Sequence, residues 1–423
     1  MIIVIMFIAL LAFGIPIAWM LGICGASYIL MMQPSLITSF PQRMMAGAAN
    51  YALLCIPLFI LAGELMGLSG DVKRLCDLSR TVVGHIKGGL AYVTILLGTL
   101  LGAPLGSALA ESALLSSSMF PELKKDGYDE AFAANMIGAV SIIGPIIPPG
   151  MTFIIYGIVA NVSIQKLFMA GIMPGIYMAI ALTACVFIIG LKQDWKKGDK
   201  ATFREFLSAL RRSAFSLITP TVALLAIGFG IATPTESAAV LSGLILFVGV
   251  FIYKQIKLKD LLPLFVKTGI TSVAVLLLSD MSSLFGFALA YDRIPQTLAA
   301  AVSQISNNPY VILLIMNVIF FFVGMVMEPL PILYILVPVM IPIMASVGLD
   351  PIHIGMVLCL NLAIGLLTPP IGSCFVTTSM ATGVPANKMV GSIWFPWIFA
   401  LLIVLLVTTY LPGSFMWMVD LLG

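Results

Sequence analysis

The 423-residue chain reads as an all-α polytopic membrane protein with an inverted structural repeat, each half carrying a re-entrant hairpin and a broken helix. Three observations lead there. Hydrophobicity runs the length of the chain, a self-similarity centres on doubled prolines, and Lys and Arg are spread unevenly between loops that otherwise correspond.

Hydrophobic residues make up 61% of the chain and charged residues 9%, and the mean hydropathy is +1.14. A soluble chain of this length needs far less apolar material to fill a core, so the solvent is lipid. Apolar stretches near the spanning length of about 20 residues begin at Met1, Tyr51, Ile176, Ser213, Val240, Thr271, Val311 and Ile393. They predict about ten to twelve crossings. The first residues, Met1 to Phe7, carry no basic segment and no A-x-A-like cleavage site follows, which predicts a retained span and not a signal peptide.

Soluble chemistry finds little support. The formal charge of +3 gives no reason to expect a nucleic-acid partner. Six cysteines (Cys24, Cys55, Cys76, Cys185, Cys359, Cys374) have no CxxC spacing and five lie in apolar runs, as buried thiols do. His85 and His353 lack neighbours at metal-ligand spacing. The phosphate-binding G-x-x-x-x-G-K-S/T, the zinc motif H-E-x-x-H and the acyl-transfer motif G-x-S-x-G are absent, so an enzyme is not expected, nor a metal beyond sodium.

The one long polar stretch, Lys192 to Arg212, holds seven basic residues against Asp194, Asp199 and Glu205. It predicts a cytoplasmic amphipathic linker (192–213) between a first repeat (1–191) and a second (214–423). Displacing the chain on itself by 221 positions pairs Met119 with Met340, Pro121 with Pro342, Gly127 with Gly348, Asp129 with Asp350, Ile143 with Ile364, Gly144 with Gly365, and Pro148-Pro149 with Pro369-Pro370. Eight of the 31 positions from Met119 to Pro149 are identical, where chance gives roughly two or three. After Asp71 come Lys73, Arg74, Arg80 and Lys87, whereas the equivalent stretch from Asp292 holds only Arg293. Equivalent elements therefore cross in opposite directions, an arrangement typical of secondary transporters.

Each half interrupts an apolar run with a doubled proline: Gly144-Pro145-Ile146-Ile147-Pro148-Pro149 and Gly365-Leu366-Leu367-Thr368-Pro369-Pro370. Proline offers no N–H and clashes with the carbonyl four residues back, which predicts orphan carbonyls on Gly144 and Pro145, and on Gly365 and Leu366. At membrane depth protein, water or a cation must satisfy them. A kink covered by neighbouring helices would account for a lone proline; doubling and repetition favour a cation site. The breaks span about 130–160 and about 352–380, and irregular segments before them, with Gly106-Ser107 and Gly324-Met325 at their turns, read as hairpins over about 90–120 and about 310–345. Gly106, Ser107, Gly144, Pro145 and Pro148 form one candidate sodium site, and Gly324, Gly365, Leu366 and Thr368 the other. Sodium is favoured over a histidine proton relay, with Glu111 and Glu328 as further carriers to consider.

Five acidic residues lie in apolar surroundings: Glu64, Glu111, Glu236, Asp280 and Glu328. A helix–helix hydrogen bond accounts equally well for Glu64 and Asp280. Glu236, beside Thr233 and Pro234, is the stronger candidate for contact with a substrate. Thr152 follows the first double proline, and Ser373, Thr377 and Thr378 the second, where a half-helix N-terminus would attract an anion. Interhelical hydrogen bonding explains these hydroxyls as well.

Four stretches resemble the large membrane subunit (DctM/SiaM-like) of tripartite ATP-independent periplasmic (TRAP) transporters: Pro57 to Met66 with Gly84 to Leu90; Gly127-Tyr128-Asp129 through Pro149; Ala232-Thr233-Pro234-Thr235-Glu236; and Gly348 through His353, Asn361, Gly365 and Thr368 to Gly372. The resemblance implies an elevator-type transporter of the ion transporter superfamily in a bacterial inner membrane, with at least two sodium ions at the hairpins. It implies two partners, a small DctQ-like membrane subunit and a periplasmic substrate-binding protein delivering a C4-dicarboxylate, keto acid or sialic acid. Two positions depart from the family pattern: Leu105 stands where serine usually precedes Gly-Ser, and Gly150 where serine usually follows the first double proline. A stand-alone anion symporter or exchanger, or a channel or ion-translocating complex subunit, are the competing readings.

Overall fold

The computed structural model describes residues 6–7, 9–10, 13–32, 34–306, 308–391 and 394–422. Met1 and Ile393, where two of the apolar stretches begin, lie outside them. Among the described residues the regular structure is helical, apart from one isolated bridge between Lys87 and Lys197.

In chain order the helices are α1 (Ile17–Met32), α2 (Ser39–Ala48), α3 (Cys55–Leu68), α4 (Asp71–Val83), α5 (Gly89–Leu105), α6 (Ala108–Ser118), α7 (Phe120–Lys125), α8 (Glu130–Ser141), α9 (Met151–Ala160) and α10 (Ile164–Gly190). After the linker come α11 (Phe203–Gly228), α12 (Pro234–Phe247), α13 (Leu258–Tyr291), α14 (Ile294–Ile305), α15 (Pro309–Gly324), α16 (Pro329–Ser346), α17 (Pro351–Leu366), α18 (Ser373–Thr382), α19 (Ala386–Met389), α20 (Phe395–Tyr410) and α21 (Gly413–Leu422). Among the described residues six stretches are long and apolar enough to cross a membrane: 51–68, α10, α11, 234–252, α13 and α16, with α20 and α21 forming a bent pair at 62°. The chain is a multi-pass membrane protein. The count falls below ten because α1, α5, α9, α15 and α17 are apolar but only 10 to 17 residues long.

Local structure recurs at the displacement that aligns the two halves of the sequence. It carries the start of α6 onto that of α16 and the start of α8 onto that of α17, and brings α5 with α15, and α9 with α18, to within one residue. The matching residues explain why. Gly127 and Gly348 turn the chain at φ +91° and +67°, where a side chain would be strained. Asp129 and Asp350 then cap the helices that follow, accepting from Phe132 N–H at 2.8 Å and from Ile352 N–H at 2.7 Å. Those helices end at the breaks, and both Pro148-Pro149 and Pro369-Pro370 are joined by cis peptides.

The halves interlock. Helix α9 of the first half packs on α16 and α17, where the Tyr156 hydroxyl donates to the Pro351 carbonyl at 2.7 Å. Reciprocally α18 packs on α6 and α8, with the Cys374 sulfur 3.8 Å from the Ala108 oxygen and 3.7 Å from that of Gly138. All six cysteines are free thiols and five are buried. A buried polar chain ties α15, α17 and α20: the Asn361 amide donates to Asn317 Oδ1 (2.9 Å) and the Asn317 amide to Thr409 Oγ1 (3.0 Å). His353 is buried beside it against the Thr408 carbonyl. Along one side α13 runs against α1, α2 and α3, while α12 packs on α3 and α11 on α4. Buried Asp71 joins α4 to α11 by accepting from the Ser69 and Ser216 hydroxyls.

The linker is strapped to the first half. Trp195 lies against Tyr128 and Phe132, centroids 4.9 and 5.2 Å away, and the Gly88 N–H donates to the Lys196 carbonyl at 3.0 Å. Gly88 has φ +76°, and a Cβ there would strike the indole. Trp195→Ala removes the anchor; tryptic cleavage at Lys196 and Lys197 in isolated membranes is expected to rise about tenfold, read by fragment analysis.

Candidate functional site

The first hairpin is α5 and α6 joined by Gly106-Ser107. With 11 residues, α6 rises about 16 Å, half of a hydrocarbon core of about 30 Å and too little to cross it. Gly106 adopts φ +56°, and a Cβ there would lie 2.8 Å from the Pro149 carbonyl oxygen. One on Gly102 would meet the Gly144 Cα at 3.1 Å. Backbone therefore lies on backbone where hairpin and break touch. Ser107 Oγ caps α6 by accepting from the Ala110 N–H at 3.5 Å.

Two carbonyls were expected to be orphaned here, and the structure separates them. The Pro145 oxygen accepts from Thr152 Oγ1 at 3.2 Å, whereas the Gly144 oxygen receives no hydrogen bond from any described residue. Thr152 is itself buried, so its hydroxyl serves the break and faces no open surface. Beside Gly144 stands a group that was not placed in the site from sequence. Glu111 of α6 is fully buried against Gly98 and Gly144, and neither carboxylate oxygen has a hydrogen-bond partner among the described residues. A carboxyl group so placed must be neutralised by a proton or a cation. Pro148 contributes through the backbone course of the break and not through a side-chain donor.

The second break repeats the contact with different chemistry. A Cβ on Gly365 would lie 2.6 to 2.8 Å from the backbone of Gly324, at the end of α15. The Gly372 N–H donates to the Met325 carbonyl at 3.2 Å, fastening the second tip to the break. Of the two carbonyls freed here, that of Gly365 takes the Thr368 N–H at 2.9 Å; that of Leu366 receives none from a described residue. Thr368 Oγ1 donates back to the Ile364 oxygen at 3.0 Å, and Trp394 Nε1 donates to the Leu367 oxygen at 3.0 Å. Of the carbonyls that the doubled prolines free, those of Gly144 and Leu366 are left without a donor among the described residues.

A cavity of 450 Å³ opens beside the first tip, between the hairpin and α3 and α13. Leu105, Ser107, Ala110 and Ser117 line the hairpin side, Met151 begins α9, and Glu64, Lys267 and Thr271 lie opposite. This volume lies in the range of small-molecule sites, about 300–1,000 Å³. Ser373 and Thr377 are half-buried in the first turns of α18, away from this lining. Thr233 and Glu236 lie elsewhere. They form a capping box at the start of α12, in which Glu236 Oε2 accepts from the Thr233 N–H and hydroxyl, both at 2.8 Å. Pro234 begins that helix and does not break one, and both capping side chains are exposed.

A profile of the family described as tripartite ATP-independent periplasmic transporter, DctM component, matches residues 4–414. The chain belongs to that family. It is 32% identical over 393 residues to the C4-dicarboxylate TRAP transporter large permease protein DctM of Pseudomonas aeruginosa, covering 93% of this chain and 92% of the relative. It is 34% identical over 405 residues to the sialic acid TRAP transporter large permease protein SiaM of Vibrio cholerae, covering 96% and 95%. It is 32% identical over 402 residues to the 2,3-diketo-L-gulonate large permease protein YiaN of Escherichia coli, covering 95% and 94%. Among solved structures the YdaH transporter of Alcanivorax borkumensis superposes with a TM-score of 0.65 at 14% identity, over 90% of this chain and 88% of that one, a likeness of fold.

In this DctM-family chain both departures from the family pattern have a visible setting. A Cβ on Gly150 would collide with the Pro145 carbonyl oxygen, so a serine there requires a different course of the break. Leu105 lines the cavity wall next to the tip, making it more apolar. The glycine contacts between tip and break leave no slack. Gly365→Ala is expected to destabilise the detergent-solubilised chain by about 1–3 kcal/mol. Gly269→Ala, whose Cβ meets nothing within 4 Å, is expected to stabilise it by about 0.5–1 kcal/mol. Thermal unfolding midpoints of opposite shift check the pair.

Proposed function

We propose that this chain is the translocating subunit of a sodium-driven importer of an organic carboxylate, working by an elevator movement in the bacterial inner membrane. The observation that carries it is the pairing, in each half, of a hairpin tip with a broken helix through bare backbone, Gly102 on Gly144 and Gly324 on Gly365, beside an unpartnered carbonyl. Main-chain oxygen suits a hard monovalent cation, and at mid-depth few other partners exist. Sodium at Gly144 and at Leu366 would tie each break to its tip, with Ser107 and Thr368 hydroxyls nearby. Buried Glu111 would offset the charge at the first site.

The moving unit comprises both hairpins and both broken helices, which interlock through α9 and α18. Helices α1, α2, α3, α11, α12 and α13 form the scaffold. By the positive-inside rule the linker and the segment formed by α4 and its following turn, with Lys73, Arg74, Arg80 and Lys87, face the cytoplasm. The 450 Å³ cavity extends from the first tip toward Leu68 and Ser117, at the ends of α3 and α6 nearest that side, so its opening is inward. Sodium and substrate would then bind with reciprocal coupling.

The names of the relatives support a carboxylate: C4-dicarboxylate, sialic acid and 2,3-diketo-L-gulonate. They support partners as well. One relative, the isethionate permease protein DctMQ of Oleidesulfovibrio alaskensis, is matched over only 64% of its length. A DctQ-like small subunit and a periplasmic binding protein complete the importer. In proteoliposomes holding the membrane subunits and supplied with binding protein, uptake of labelled succinate or N-acetylneuraminate is expected to require an inward sodium gradient. Equal rates in potassium alone would remove sodium coupling, and uptake by this chain alone would favour a stand-alone symporter.

A further inference from the structure

The scaffold wall of the inward cavity carries one ion pair. Lys267 Nζ of α13 lies 2.8 Å from both carboxylate oxygens of Glu64 on α3. These are the charged residues of the cavity lining, and they face Ser107, Ser117 and the first turn of α9 across it. The side chains are 66% and 29% exposed, so water reaches the pair and its mutual attraction is weak. Helices α3 and α13 pack on each other, so the pair does not latch the moving unit to the scaffold. Glu64 and Lys267 interrupt otherwise apolar helices, where ionisable side chains mark candidate functional positions.

We propose that Lys267 receives the substrate carboxylate on the cytoplasmic side of the pathway, with Glu64 as a built-in competitor that reclaims the ammonium and so releases the substrate. The proposal rests on the reading of this chain as an inward-opening carboxylate importer. A carboxylate carried down by the first hairpin tip passes the face of α13 that bears Lys267 and Thr271. It meets a cation whose partner is already a carboxylate, so one charge-assisted contact replaces another of the same kind. The exchange frees the Glu64 carboxylate, which is 29% exposed and would be hydrated through the open mouth until it reclaims the ammonium. Lys267 is a substrate-contacting residue of the exit route, and Glu64 positions it.

Sodium-driven counterflow tests this in proteoliposomes containing both membrane subunits, with external binding protein selecting one orientation. The probe is labelled succinate or N-acetylneuraminate, whichever the wild-type complex imports, and the readout is the half-saturating concentration of the same unlabelled compound inside. Lys267→Gln is expected to raise that internal value about tenfold while the external value stays within about twofold. Lys267→Arg is expected to stay near wild type. Glu64→Gln is expected to lower the internal value and slow net uptake, since release loses its competitor. The double variant Glu64→Gln/Lys267→Gln separates recognition from charge balance. Internal affinity as poor as in Lys267→Gln alone supports the proposal, and recovery to wild type overturns it by making Lys267 a mere counter-ion. An unchanged internal value in Lys267→Gln with wild-type import intact also overturns it, leaving the importer reading standing. Failure of the wild-type complex to import either probe removes both.

Discussion

In hydrocarbon every backbone N–H and C=O must find a partner, and twin prolines deny two consecutive carbonyls their usual ones. The rest of the molecule is organised around that constraint. In the first half Thr152 supplies a donor to Pro145, and in the second the Thr368 N–H serves Gly365. What remains over, the Gly144 and Leu366 oxygens, lies where a hairpin tip presses its own backbone onto the break. Glycine is needed at Gly106 and Gly365 because a methyl group there would intrude on the main chain of Pro149 and of Gly324.

The reciprocal packing gives this local chemistry a mechanical consequence. Since α9 is seated on the second half and α18 on the first, neither break can shift without displacing the other hairpin. Two cation sites on separately mobile halves would fill independently. On one interlocked body two such sites would report to the same element, as the proposed coupling between sodium and substrate requires. The proposed scaffold, with Asp71 buried where α4 meets α11, would supply the frame, while Trp195 fastens the linker to Tyr128 and Phe132 on the interlocked body.

Much of this was legible in the sequence because it is encoded locally. Gly127 and Asp129, with Gly348 and Asp350, are turn and cap residues whose roles follow from their own backbone geometry, and the double prolines mark their breaks directly. Where sequence reading placed Thr233 and Glu236 against a substrate, the same letters spelled a capping box. Pro at the first position of a helix and Pro interrupting one differ only in what precedes them, and a capping glutamate is apolar-flanked whenever the helix it starts is a membrane span. Thr152 shows a related effect: a hydroxyl next to a break is drawn to the break's own carbonyl.

The ion pair in the cavity had no such local mark. Glu64 and Lys267 are 203 positions apart, and each alone looks like a stray charge near an interface. Only the packing of α3 against α13 makes them partners, and only the hairpin opposite turns the pair into the wall of a cavity. The polar resources of the molecule divide accordingly. Main-chain oxygens on the interlocked body, whose positions are fixed by glycine contacts, suit small cations that need a defined shell. Flexible charged side chains on the frame suit larger anions that must be taken up and let go. The breaks are repeated because both halves need one, whereas the pair occurs once, at the hairpin whose tip lines the open cavity.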